Sequence, residues 1–269
     1  MSFSALPAHV AEESRSPIYP ESPFHAFNTA LVDNASFEYS FLTAFFPNVS
    51  FQTLSQYFNS IFSPTFALGH ALTKQLIVTT YDCLAILLCV RLNQHLAFEL
   101  QRRKCPVADG YINGTNMLLW PRFQVAMDMH VDSIRRATAA LSGGARATLS
   151  LTSSNADSKG STAPHVLTQR FGQFLQSILA LSSNEVYIPG TGEAATSDSE
   201  PVARSLGRLR TEVQNFLIKV AKSLAQGRRE RFLGNNYSLV LTIVGDTGGE
   251  LAQEMREWFE QMRESVGGE

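Results

Sequence analysis

Between Pro201 and Gly227 the apolar residues Val202, Leu206, Leu209, Val213, Phe216, Val220 and Leu224 recur at four- and three-residue steps. An α-helix turns once in about 3.6 residues, so all seven fall on one face. Arg208, Arg210, Glu212, Lys219 and Lys222 then lie outside. Pro201 suits a first helical turn, where no N–H is needed, and Gly227 suits a stop. A helix with one apolar stripe does not stand alone in water. The rest of the chain must therefore supply partners for it.

It does so repeatedly. From Pro23 to Phe46 the residues Phe24, Phe27, Leu31, Leu42 and Phe45 keep helical spacing, with only Glu38 out of character, and Pro47 ends the pattern. Phe51, Leu54, Phe58 and Ile61 form a second stripe. Pro64 lacks an N–H and predicts a kink or a fresh helix, with a helix-turn-helix step near Ser63. Tyr81, Leu84, Leu88, Leu92 and Leu96 form a third stripe, while Ile86, Leu87 and Val90 fill the other sides, as in a helix buried inside a bundle. The apolar run Leu76 to Leu92 reads as that buried helix. Asp82 and Arg91 leave it short of the ~20 residues a membrane span needs. Arg102, Arg103 and Lys104 at its end suit the negative pole of the helix dipole.

A fourth helix is expected from about Asp109 to Leu141. Met117, Trp120, Phe123, Met127, Val131 and Ile134 face inward, Asp132 and Arg136 pair outside, and Pro121 kinks the helix or begins a new segment. Pro164 predicts the start of the next, with Val166, Phe171, Phe174, Leu175, Ile178 and Leu181 buried. The β-branched stretch Tyr237 to Val244 has no second strand to pair with and reads as helix. Leu251, Met255, Trp258, Phe259 and Met262 form a last stripe. Segments 143–163 and 189–199, rich in small polar residues, read as a flexible linker and a flexible loop. They divide the chain into a bundle at 1–142 and another at 164–269.

Chemistry is sparse along this pattern. The formal net charge of −2 over 269 residues gives no whole-chain attraction to nucleic acid or anionic lipid. Three cysteines cannot all pair, which fits a reduced, cytosolic setting, and the Asn-x-Ser/Thr triplets at Asn34, Asn48, Asn113 and Asn236 are then chance matches. The six histidines are scattered singly, and no phosphate-cradling loop, nucleophile elbow or zinc spacing occurs, so neither metal nor cofactor is expected. Asp128 and Asp132 stand four apart like a carboxylate pair, yet Arg135 and Arg136 follow and favour a solvated ion-pair face. Arg228, Arg229 and Arg231 beside Phe232 are the best local candidate for contacting an acidic partner, against the plainer reading of a charged inter-helix turn.

Two segments are more particular. Tyr81 to Asn93, ending Val90-Arg91-Leu92-Asn93, and the later Met117-Leu118-Leu119-Trp120-Pro121-Arg122-Phe123-Gln124 with Met127-Asp128 resemble the C-terminal half of the vacuolar protein sorting-associated protein 52 family. Leu31-Val32-Asp33-Asn34-Ala35, Arg208-Leu209-Arg210-Thr211-Glu212-Val213 with Asn215-Phe216-Leu217, and Phe232-Leu233 with Asn235-Asn236-Tyr237 extend the resemblance in order. Ser238 departs from the acidic residue expected there, and the stretches around Ser153 and Thr196 look like insertions.

The resemblance implies an all-α fold of stacked helical bundles forming an elongated rod, as in subunits of multisubunit tethering complexes. It implies a non-catalytic subunit of the Golgi-associated retrograde protein complex, which tethers endosome-derived vesicles at the trans-Golgi network. Implied partners are the complex's 51, 53 and 54 subunits, a Golgi Rab-type small GTPase and syntaxin-type fusion proteins, with no nucleic acid. Membrane association would be peripheral, on the cytosolic face of the trans-Golgi network and endosomes, through partners only. The family's N-terminal coiled-coil portion is not matched, so the chain reads as the C-terminal leg of a subunit with Met1 an artificial start. The motif residues Arg91, Asn93, Leu119, Trp120, Pro121, Arg122, Phe123, Gln124, Asn235 and Asn236 are expected to be mainly structural. One alternative is a subunit of a related tether such as exocyst. Another is a helical enzyme with a site dispersed over Asp82, Arg91, Asn93 and Arg122.

Overall fold

The computed structural model describes residues 19–141, 161–183 and 199–267. Among them are eight α-helices and no strand: α1 (Glu21–Phe45), α2 (Phe51–Val78), α3 (Cys83–Arg102), α4 (Asp109–Ala140), α5 (Val166–Ser183), α6 (Ser199–Ala221), α7 (Gln226–Val244) and α8 (Glu250–Gly267). A 3-10 turn, Pro106–Ala108, precedes α4. The two stretches expected to be a linker and a loop fall mostly outside the described residues.

The helices are all-α in the way the stripes predict, but several boundaries and faces differ. α2 runs unbroken through Pro64, so there is no step near Ser63. The ring sits on the solvent face, where the carbonyl it leaves without a helical N–H is open to solvation. The inward seam of α2 is Leu54, Phe58, Phe62, Gly69, Thr73 and Ile77, whereas Phe51 and Ile61 are exposed. α4 likewise continues through an exposed Pro121. Met117, expected inside, is 78% exposed, and Leu119 replaces it in the core. Phe45 and Val166 are also exposed.

The run Leu76 to Leu92 is two helices. α2 stops at Val78, and Asp82 starts α3 by accepting from the N–H groups of Leu84 at 2.9 Å and Ala85 at 3.2 Å. Tyr81 therefore stands outside α3, exposed. By length and composition α3 could cross a membrane, but α1, α4 and α5 pack against it. Asp132 pairs with Arg135 at 3.5 Å, while Arg136 donates instead to the Asp132 carbonyl. Arg210, expected outside, is largely buried and lies 4.5 Å over the Trp258 ring.

The largest apolar cluster joins the two halves of the chain. Cys83, Ile86 and Leu87 of α3 and Phe123, Ala126, Met127 and Val131 of α4 pack with residues from all of α5 to α8. α4 and α6 run side by side in the same direction, tied by Asp128–Arg208 at 2.7 Å and Arg135–Glu212 at 2.9 Å. Three smaller clusters continue away from it. One centres on Phe24, Ile77, Cys89, Val90 and Leu119. The next joins Leu31, Val32, Leu96, Leu100 and Tyr111. The last, Ala35, Leu42, Leu54, Phe58 and Phe62, lies where α1 turns into α2.

Candidate functional site

A helix ends with about four carbonyls that no later N–H can reach, at the negative end of its dipole. Four arginines meet that need across helix pairs. Arg122 in α4 donates through Nε to the Ile77 carbonyl at 2.9 Å and through its terminal nitrogen to that of Thr80, closing the end of α2, and lies 5.3 Å over the Tyr81 ring. Arg91 in α3 reaches the end of α5, donating to the carbonyls of Leu181 at 3.0 Å and Ser182 at 3.4 Å, and is steadied by Gln94 at 2.9 Å. Arg229 in α7 donates to Leu224 and Lys222 carbonyls just past α6. Arg256 in α8 takes those of Val244 and Thr247 at the end of α7.

The other motif residues make the same kind of cross-tie. Asn93, fully buried, donates to the Ile112 carbonyl at 3.0 Å and to Asn116 at 2.9 Å, holding α3 to α4. Gln124 donates to the Pro201 carbonyl and accepts from Ser205 at 3.0 Å, holding α4 to α6. Asn236, also fully buried, accepts from the His165 N–H at 2.8 Å and the Thr168 hydroxyl at 2.6 Å, and Asn235 donates to the Thr162 carbonyl at 2.8 Å. Together they fix the entry of α5 on α7. Leu119 and Phe123 are fully buried. Trp120 is half-buried between two apolar clusters, edge-on to Phe123 at 5.7 Å. Pro121 faces solvent.

A dispersed catalytic site at Asp82, Arg91, Asn93 and Arg122 is not what these residues form. Asp82 is spent on capping α3, and the other three donate to carbonyls of separate helices. Burial pushes the thiols of Cys83 and Cys89 up to about 12 and that of Cys105 to about 11, so they are protonated and poor nucleophiles. Among the described residues no group of three or more His, Cys, Asp or Glu could hold a metal ion. A cavity of about 200 Å³ between α1 and α3 is below the ~300 Å³ at which ligand pockets begin, and a larger hollow of about 520 Å³ beside Met129, Asp132, Arg135 and Arg136 lies open at the surface. The smaller cavity's two carboxylates are already paired, Asp33 with Arg103 at 2.6 Å and Glu99 with Arg102 at 2.6 Å.

The candidate partner-binding arginines are not in an inter-helix turn. α6 ends at Ala221, earlier than Gly227, and Arg228, Arg229 and Arg231 lie in the first two turns of α7. All three are exposed, and Arg229 also donates to the carbonyls just past α6. Sequence reasoning missed a polar junction deep in the N-terminal half. Tyr111 of α4 donates to Asn28 of α1, stacks on Phe66 at 4.9 Å and on His70 at 4.7 Å, and presses on Gly69 of α2. The only sequence signals for it are a glycine and an asparagine inside long apolar helices.

A family model described as "Vps52, C-terminal" matches residues 1–267. The vacuolar protein sorting-associated protein 52 of Schizosaccharomyces pombe is 33% identical over 252 residues, 93% of this chain and 44% of that protein. That of Saccharomyces cerevisiae is 33% identical over 237 residues, 87% of this chain and 35% of that protein. The Homo sapiens homolog is 26% identical over 258 residues, 96% of this chain and 32% of that protein. The chain thus spans less than half the length of these relatives. No solved structure matches it.

Proposed function

Since the chain belongs to the Vps52 C-terminal family, we propose that it serves vacuolar protein sorting as the C-terminal leg of a non-catalytic subunit in a vesicle-tethering complex. The finer reading is a part in endosome-to-trans-Golgi retrograde transport within the Golgi-associated retrograde protein complex. The partners on that reading are its 51, 53 and 54 subunits, a Golgi Rab-type GTPase and syntaxin-type fusion proteins, and membrane attachment is peripheral and through them. The observation that carries the reading is the match over nearly the whole chain, combined with motif residues that tie helices together rather than converge on a reaction centre.

A preformed helical surface can read a GTPase because bound GTP orders switch loops that GDP leaves loose. Arg228, Arg229 and Arg231, exposed at the start of α7, would steer an acidic partner surface toward it. The test is titration of this chain with the GTPase loaded with a GTP analogue or with GDP. Tighter binding of the GTP form, slowed in association by Arg231→Glu with little change in dissociation, is expected. Equal affinity for the two forms, or none at high micromolar concentration, would move GTPase recognition to another subunit.

A further inference from the structure

The α1–α2 hairpin has an uncovered aromatic side. α3 ends at Arg102, where Arg103 pairs with Asp33 of α1. Twelve residues of α1 remain beyond Asp33, up to Phe45, and carry the hairpin about 18 Å past that point. Over this length α1 is held by α2, through the seam Leu42, Leu54, Phe58 and Phe62, and by the short 3-10 turn at its base, through Val107. The flank of the seam is apolar but open. Phe37 is 74% exposed, Phe41 51%, Phe45 65%, Tyr57 44% and Ile61 49%. The α1 phenylalanines sit four apart on one helix side, and the rings run on into α2. Phe41 stacks on Phe45 at 5.6 Å, Phe45 meets Phe46 edge-on at 4.8 Å, and Phe46 leans on Tyr57 at 5.7 Å.

We propose that this face pairs with the same face of a second copy of the chain, the two hairpins closing a four-helix bundle about a two-fold axis. Two antiparallel helices with one buried seam and one open apolar flank are half of such a bundle, and an identical hairpin is the simplest complement. At ~200 Å² per large side chain, the exposed fractions leave roughly 500–600 Å² uncovered on each copy. Two copies together approach the ~1,200 Å² at which stable interfaces begin. Charge points the same way. From Tyr39 to Gly69 the sequence holds no Asp, Glu, Lys, Arg or His, so beyond Glu38, at the Phe37 end of the face, two copies meet without like-charge repulsion. The same absence of Lys and Arg removes the attraction that would draw the hairpin to anionic lipid.

Sedimentation of the whole chain from about 1 to about 200 μM tests the proposal, because an interface of this size belongs in the micromolar range. The average mass should rise from one chain toward two, and the double variant Phe41→Asp, Phe45→Asp should weaken dimerisation at least tenfold. Both rings are exposed, so its helical circular dichroism and melting should stay near those of the parent. A parent that remains monomeric throughout, or a folded double variant that dimerises equally well, overturns the proposal. A monomeric parent that binds neutral phosphatidylcholine vesicles, or a purified tether subunit, through the same rings also overturns it and assigns the face to that occupant.

Discussion

Lys104 is the one non-glycine residue with a left-handed backbone among those described, at φ 54°. It follows α3, where the Cys105 N–H reaches back to the Leu100 carbonyl at 2.9 Å and its own N–H to that of Gln101 at 3.0 Å. That pattern closes a helix with a left-handed residue, a place where glycine avoids the Cβ clash. Lys104→Gly should accordingly raise unfolding stability by about 1 kcal/mol, read from the urea midpoint at unchanged slope. An unchanged or lower midpoint would mean that the lysine side chain makes up for the strain. Gly69 is the opposite case. A Cβ there would collide with the Tyr111 hydroxyl and press on the Phe27 ring, and Tyr111 cannot retreat without losing Asn28. Gly69→Ala should cost about 1–3 kcal/mol despite the better helix propensity of alanine. A gain in stability would show that the junction can loosen freely.

At the scale of one helix, α6 and α8 were the easiest to read, since each buries one narrow stripe and leaves its other sides polar. α2 and α4 were harder. A proline costs a helix one hydrogen bond and crowds the carbonyl four residues back, which is tolerated most easily on a solvent face, and nothing in the sequence told which side of Pro64 or Pro121 faces water. The start of α3 was in principle legible. Asp82 before an apolar run is an ordinary N-cap signal, and the continuous hydrophobicity around it masked it. The tying arginines were legible as residue types but not in their role, because Arg122 and Arg91 meet carbonyls some 42 to 91 positions away.

Helix starts also carry the pH dependence. At the start of α5, His165 Nδ1 accepts the Leu167 N–H at 3.0 Å, and the ring lies 5.1 Å from Phe216. Burial holds its pKa below the ordinary 6.5, and a proton on Nδ1 would remove the acceptor. The unfolded chain therefore takes up a proton near pH 6.5 that the folded chain refuses. Stability is full above that pH and falls as the pH drops through it toward the folded value. Melting between pH ~7.5 and ~5.5 should show a decline that His165→Asn reduces. Parallel profiles for the two proteins would remove His165 from the effect.

For the molecule as a whole, what matters is how two runs of helices separated by residues 142–160 hold together. The shared cluster contains side chains from α3 and α4 together with all of α5 to α8, and Arg91 and Gln124 add polar ties across the same boundary. A core common to both halves makes unfolding cooperative. The chain's two tryptophans report on it separately, Trp120 in α4 and Trp258 in α8. The most direct measurement is denaturant unfolding of the single-tryptophan variants Trp258→Phe and Trp120→Phe by fluorescence, each with and without Arg91→Met. Hydrogen bonds from a charged donor contribute about 1.5–3 kcal/mol, so Arg91→Met should lower stability by about that much at both tryptophans together. Separate midpoints for the two reporters, or a loss felt on one side of the boundary alone, would contradict a single body fastened by its motif residues.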